Sequence, residues 1–311
     1  MIKSDKIIYC NYLSRFSNNI FQYCYAHLLN QRFNGTIKFS SDCTLSSGDT
    51  HDNPSISEPL IKKPVYEITD SKKSFLTKEQ MGKFRYDEQL ELSSKYQFNP
   101  ELDEELTGNN IILSDYFQNY KYYRNNKTFI RSLLYRLYKK ELNDYPSQYD
   151  IVAHYRGTDI HIQTPVDYYL DVLNKEKDFE RLFIVTDEPN NPNVQYLYNK
   201  INKYKFKSAY IKSTFVLDDF LFIMNASRII MSVSTFSWMS AWLSDAEKIY
   251  FPIDNYLFNR DGDQRLIVDN EPRYNYINID KYTEKKTHVF LKKLKNIISP
   301  FDSILKPMGL K

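Results

Sequence analysis

Past residue 150 the sequence switches between short apolar runs and helical patterns, with little else between them. The apolar runs are 151–154, 182–186 (LFIVT), 209–211, 228–232 (RIIMS) and 248–251 (KIYF). Helical patterns fall between them near 165–174, 192–204, 217–226 and 236–244. Strand and helix in turn, at these lengths, imply a parallel sheet with helices on both faces. An α/β fold is therefore expected.

The first half opens in the same way. Residues 7–10 (IIYC) read as a strand and 11–19 as a polar loop. Residues 20–33 read as a helix, with apolar positions at Ile20, Phe21, Cys24, Leu28 and Leu29. Gly35 stops that helix, and 36–39 makes a second strand. Residues 40–64 are polar and aperiodic and read as a long insertion. Residues 65–110 carry little signal. A short strand follows at 111–113, then the stretch DYFQNYKYY at 115–123, then a helix over 127–142. The segment DYPS at 144–147 reads as a linker, since proline enforces an extended chain.

A chain of 311 residues is too long for one ordinary core, and two domains of about 150 residues each are expected. They are placed at 1–147, with the insertion at about 40–64, and at 148–285. A tail, 286–311, carries a short basic amphipathic helix at 287–298.

Charge and cysteine content narrow the function classes. Lysine plus arginine less aspartate plus glutamate is 42 − 39 = +3, too weak a bias to argue for nucleic acid. Basic and aromatic residues do interleave at Tyr116, Tyr120, Tyr122, Tyr123, Arg124 and Lys127, as stacking platforms do. Binding of some other polar ligand or plain packing accounts for them equally well. Cys10, Cys24 and Cys43 are odd in number and lack metal-ligand spacing, so they read as free thiols in a reducing compartment. The start, MIKSDKIIYC, has no apolar signal region, and no run of about 18 apolar residues exists. A cytoplasmic protein is expected. Its basic tail leaves two readings open, a packed terminal helix or a peripheral contact at the inner membrane surface.

Three stretches could carry chemistry. The first is 150–159, DIVAHYRGTD, where a strand breaks into charge at its C-terminal end. In an open α/β sheet that is where ligands bind. Arg156 offers a planar fork suited to phosphate oxygens, flanked by His154 and Asp159. A structural Arg–Asp pair at a strand end fits the same residues. The second is 228–243, RIIMSVSTFSWMSAWL, with a strand end and a helix start near Phe236. Ser232, Ser234, Thr235 and Ser237 cluster at that junction. A cap needs one hydroxyl, so four suggest an anion site at the helix start. Trp238 and Trp242, one turn apart, read as core. The third is Thr186-Asp187-Glu188, at the same sheet edge, where a carboxylate can accept from ribose hydroxyls or base N–H groups. Asp218 and Asp219 begin a helix and read as partners of its positive end. Asp261-Gly262-Asp263 has turn composition and reads as a loop rather than a metal site. No GxGxxG follows a strand and no GxSxG elbow is present, which argues against a dehydrogenase and an α/β-hydrolase.

Taken together, these pieces resemble the bacterial α-1,2-fucosyltransferases of glycosyltransferase family 11. The family opens with a GGLGNQMFQYA-like loop and helix, which residues 14–23, SRFSNNIFQY, resemble. Its GYFQSEKYF-like stretch is similar to DYFQNYKYY at 115–123. Its HxRRGD motif resembles His154 to Asp159, HYRGTD, and its SNSSFSWWGAWL segment resembles 232–243, SVSTFSWMSAWL. The four matches keep their order over residues 7–258. Departures are Ser14 and Ser17 for loop glycines, Gly157 for the second arginine, Val233 for an asparagine and Met239 for a tryptophan.

The resemblance implies a GT-B-like enzyme, two Rossmann-like domains facing a cleft, with the nucleotide held by the C-terminal one. It implies inverting transfer of L-fucose from GDP-fucose to a glycan hydroxyl, in α-1,2 linkage, for surface polysaccharide or glycan synthesis. The partners are a nucleotide-sugar donor and an oligosaccharide or lipid-linked acceptor; no cofactor, metal or nucleic acid is expected. By the same likeness Arg156 stabilises the departing diphosphate and His154 orients sugar or phosphate. Asp159 is either a base or a brace for Arg156. Asn18, Asn19, Asp187, Ser232, Ser234, Thr235, Phe236 and Ser237 fall on the donor side, and Tyr116, Gln118 and Tyr122 on the acceptor side. Two alternatives stay open: a transferase using another nucleotide sugar, and a non-catalytic relative that binds nucleotide sugars or glycans.

Overall fold

The structure is a computed structural model. It describes residues 7–10, 16–39, 65–68, 73–76, 110–113, 115–137, 145–157, 163–204, 207–254, 257–259 and 265–282. Its first sheet holds β1 (Ile7–Cys10), β2 (Thr36–Phe39), β3 (Val65–Ile68), β4 (Lys73–Leu76) and β5 (Asn110–Leu113), in the order β2-β1-β5-β3-β4. Its pairs are parallel except β3 with β4. Helix α1 (Phe16–Phe33) crosses from β1 to β2. After β5 come the single turn α2 (Tyr120–Tyr123) and α3 (Lys127–Leu137).

The second sheet has six strands: β6 (Ile151–Tyr155), β7 (Arg181–Thr186), β8 (Ser208–Lys212), β9 (Arg228–Ile230), β10 (Lys248–Ile253) and β11 (Tyr274–Asn278). All neighbours are parallel, in the order β11-β10-β9-β6-β7-β8. Crossovers run through α4 (Val166–Lys175), α5 (Pro192–Ile201), α6 (Val216–Met224) and α7 (Thr235–Leu243). All five residues of β6 and five of the six in β7 are buried. Strands covered on both faces need continuous apolar runs, which is why these two were legible. The first three strands run outward from β6 to one edge, and the last three outward from β9 to the other. The order therefore reverses between β6 and β9, the place where such sheets open a crevice for ligands.

Several boundaries differ from expectation. Helix α1 starts at Phe16, inside the stretch read as a polar loop. Phe16, Asn19 and Ile20 are buried at helical spacing, so the polar Ser17 and Asn18 are the other face of a first turn. The β9 ladder ends at Ile230, two residues before Ser232. Strand β11 was missed because YNYIN at a sheet edge alternates with polar residues. The pair β3 and β4 lies in the stretch that carried little signal. The 40–64 insertion, residues 138–142 of the expected helix, Asp159, Cys43, the Asp261-Gly262-Asp263 turn and the tail lie outside the described residues. Cys10 and Cys24 are free and buried. No helix among the described residues is long and apolar enough to cross a membrane.

The two halves share one aromatic core. Phe21 of α1 packs on Trp238 of α7 with ring centroids 5.3 Å apart, and Phe16 meets Phe220 at 5.6 Å edge to face. Trp238 and Trp242 are buried and stacked at 5.7 Å, as expected of core residues. The C-terminal carbonyls of α7 are held by cations. Lys127 of α3 donates to Ser244 O at 2.8 Å, and Arg273 donates to Ser244 O at 2.7 Å and to Trp242 O at 3.0 Å. Positive charge favours that end of a helix.

Candidate functional site

The site forms where the strand order reverses. Beyond β6 the chain reaches Arg156 and Gly157; beyond β9 it reaches Ser232 and then the start of α7. His154, the fourth residue of β6, is 4% exposed, and its Nδ1 shares a 2.7 Å hydrogen bond with Ser232 Oγ. The ring also lies tilted against Phe236 at 5.1 Å. Its Nε2 has no hydrogen-bond partner among the described residues. Burial, and next the nearby Arg156 charge, push the His154 pKa down to about 3. The imidazole is therefore neutral near pH 7.

Arg156 pairs with Asp187, at the end of β7, at 3.4 Å. Asp187 also accepts from the Gly157 N–H at 3.0 Å. The brace anticipated from Asp159 thus comes, among the described residues, from the neighbouring strand end. Gly157 leaves no room for a side chain. A Cβ there would stand 2.4 Å from Glu188 Oε2 and 2.8 Å from Glu188 Cβ.

A cavity of about 130 Å³ opens between these strand ends. That is far above the roughly 15 Å³ needed to hold one water, so it is not a packing void. His154, Arg156 and Asp187 line it, together with Phe16 and Ser17 of α1, Thr214, Val216 and Asp219 around the start of α6, and Phe236 of α7. Three helix N-termini therefore border one cavity. Each presents the positive end of its dipole.

The hydroxyl cluster at α7 is less open than its count suggested. Ser234 caps the helix, accepting from Phe236 N–H at 3.2 Å. Ser237 is buried and donates to carbonyls of Ser232 and Ser234. Ser232 is committed to His154. Thr235 reaches across to α1, donating to Asn18 Oδ1 at 3.2 Å, so its 2.9 Å bond with Ser17 must be donated by Ser17. Asn18 Oδ1 also accepts from Gln118 Nε2 at 2.7 Å. Gln118 follows Phe117, whose φ of 54° is the left-handed region. That conformation costs about 1–3 kcal/mol and persists only where surroundings impose it. Here Phe117 stacks on Tyr25 at 4.1 Å, and Tyr123 Oη donates to its carbonyl at 2.6 Å.

The expected site residues thus divide. His154, Arg156, Asp187 and Phe236 line one cavity. Asn18, Thr235 and Gln118 form a chain beside it through Ser17. Ser232, Ser234 and Ser237 are not among the residues that line it. Asn19 is fully buried and gives its amide to Gln22 at 3.3 Å. Tyr122 packs on Tyr25 at 5.1 Å, and Tyr116 is half-buried.

Ser17, Thr214 and Asp219 were missed. Asp219, read as a helix-start acid, does stand in the first turn of α6 with Asp218, and it is also buried. It accepts from Thr214 Oγ1 at 2.6 Å and from Thr214 N–H at 3.2 Å, and burial raises its pKa. Thr214, five residues ahead of it, was the available clue, since a hydroxyl before a helix-start acid forms such a local bond. Among the described residues, no group of three or more His, Cys, Asp or Glu side chains could hold a metal ion.

A six-stranded, all-parallel α/β sheet with a cavity at its switch point gives this half of the chain a Rossmann-like fold. In comparisons with known proteins, no family model matches the chain and no curated protein matches it significantly.

Proposed function

We propose that the chain is an inverting glycosyltransferase of GT-B-like build that moves L-fucose from GDP-fucose to a glycan hydroxyl. One observation carries the reading: Arg156, His154 and the starts of α1, α6 and α7 border the same cavity. Dianionic leaving groups need fixed positive charge where the bond breaks. Arg156 supplies a guanidinium, and the helix starts supply oriented dipoles. In the reaction the bond from the sugar's anomeric carbon to the diphosphate oxygen breaks. The acceptor oxygen bonds to the opposite face of that carbon and loses its proton. The electron pair leaves with the diphosphate, whose new charge Arg156 offsets. His154 is neutral at the working pH, so it positions an oxygen by hydrogen bonding without adding charge. Asp159, the candidate base, is not among the described residues.

A thermal-shift panel of GDP, UDP, CMP and their sugars tests the donor class. GDP and GDP-fucose should raise Tm, and GDP should be released when glycan acceptors are added. A panel in which no nucleotide shifts Tm would sink the reading.

A silent, nucleotide-sugar-binding relative is the second reading. Gly157 favours it, because Glu188 fills the space that the resembled motif gives to a second arginine. That reading expects GDP-dependent stabilisation with no transfer to any acceptor.

A further inference from the structure

The bond between His154 and Ser232 can be made in two ways. Nδ1–H can donate to Oγ, or Oγ–H can donate to a bare Nδ1, and a 2.7 Å separation fits both. A neutral imidazole has one donor and one acceptor, so the choice at Nδ1 decides what Nε2 presents to the cavity.

The serine makes the choice. Ser232 is fully buried, and this bond is the only one its hydroxyl makes among the described residues. Were His154 the donor, the serine proton would be stranded away from water with no acceptor. Leaving a buried donor unsatisfied disfavours that arrangement by a factor of about 5 to 150. With Ser232 as the donor, the one proton of the pair left over is on Nε2. That nitrogen is not sealed in the core, and its ring lines the cavity. The ring is also held in place. Tyr169 Oη donates to His154 O at 2.8 Å, Ser237 Oγ donates to Ser232 O at 2.9 Å, and Phe236 lies against the imidazole. The hydroxyls at the start of α7 thus act in relay: Ser237 fixes Ser232, and Ser232 fixes His154.

We infer that Ser232 is a positioning residue that keeps the His154 proton on Nε2, so that the ring gives the cavity a neutral N–H for a ligand oxygen and holds no lone pair there to take a proton. His154 is then excluded as the base for an acceptor hydroxyl, whatever the sugar. For the identity of the ligand, an anion oxygen of the nucleotide beside Arg156, this inference rests on the nucleotide-sugar reading.

The test is NMR of the ring nitrogens in the full chain carrying isotope-labelled histidine, with His154→Gln assigning the signals. Near neutral pH, Nε2 should be protonated and Nδ1 bare. A proton on Nδ1 overturns the inference. Ser232→Ala should move the Nδ1 resonance, since its hydrogen-bond donor is gone; a resonance that stays in place shows that Ser232 does not hold the ring, and overturns the inference too. Saturating GDP should move the Nε2 resonance. If GDP raises Tm and Nε2 does not respond, this inference fails and the nucleotide reading stands. If GDP does not bind, the nucleotide reading falls and takes the proposed ligand with it, while the ring nitrogens still decide where the proton lies.

Discussion

The hydroxyls of Ser17 and Thr235 stand 2.9 Å apart, across 218 positions of sequence. Each lies in the first turn of a helix, one from either half of the chain. Two positive dipole ends meet here, and like ends repel. The contact is held by Asn18, which accepts from both Thr235 and Gln118. An anion bound in the adjoining cavity would relieve the same repulsion.

Thr235→Val keeps the side-chain shape and removes both hydrogen bonds. It should lower stability by about 1 kcal/mol. Combined with Ser17→Ala, the loss should fall short of additive by about 0.5 kcal/mol or more, since the two share one bond. Urea titration of the four species measures this. Strict additivity would mean the bond contributes nothing.

Arg156→Ala should lower sugar transfer by at least about 100-fold, the scale of losing one charge-stabilising donor. Circular dichroism establishes that the variant is folded. Near-normal turnover in that protein would leave Arg156 as a structural partner of Asp187.

His154 links stability to pH. Its folded pKa is depressed to about 3 from an ordinary 6.5. Below pH 6.5 the unfolded chain takes up a proton that the folded chain refuses. Stability from this group is therefore complete above pH 6.5 and falls as the pH drops towards 3. His154→Gln lacks that proton, so its urea midpoint should fall less than the wild type's between pH 7.5 and pH 5. Parallel declines would show that the ring is not held neutral.

Gly157→Ala should destabilise the chain by about 1–3 kcal/mol, the usual cost of forcing atoms into filled space. The added methyl would lie 2.8 Å from Glu188 Cβ, an atom too close to its own backbone to swing away. Thermal denaturation reads the effect, and a variant as stable as the wild type would show that the 188 loop yields.

The plainest strand signals in the sequence came from segments buried on both sides, although the half-exposed edge strand β8 was legible too. Strands β6 and β7 are unbroken apolar runs because helices cover both of their faces. Tyr274–Asn278 and Val65–Ile68 are equally regular strands, but mixed polar composition hid them. The site divides on similar grounds. His154, Arg156 and Asp187 were legible because charge directly follows an apolar strand. Ser17 was not, since a polar first turn looks like a loop until its buried partners Phe16 and Asn19 are known. Asp219 was read correctly as a helix-start acid, but its place at the cavity was hidden for another reason. An acid at a helix start has an ordinary explanation, and only the fold shows that this one is buried against Thr214.

Helix α7 touches the cavity at one end and is tied down at the other. Thr235 fastens its start to α1, while Lys127 and Arg273 grip its last carbonyls. It is a strut fixed at both ends to pieces that come from both halves of the chain. Its first turn carries Phe236, which lies against His154, so residues remote from the cavity share in fixing the helix that presents that ring.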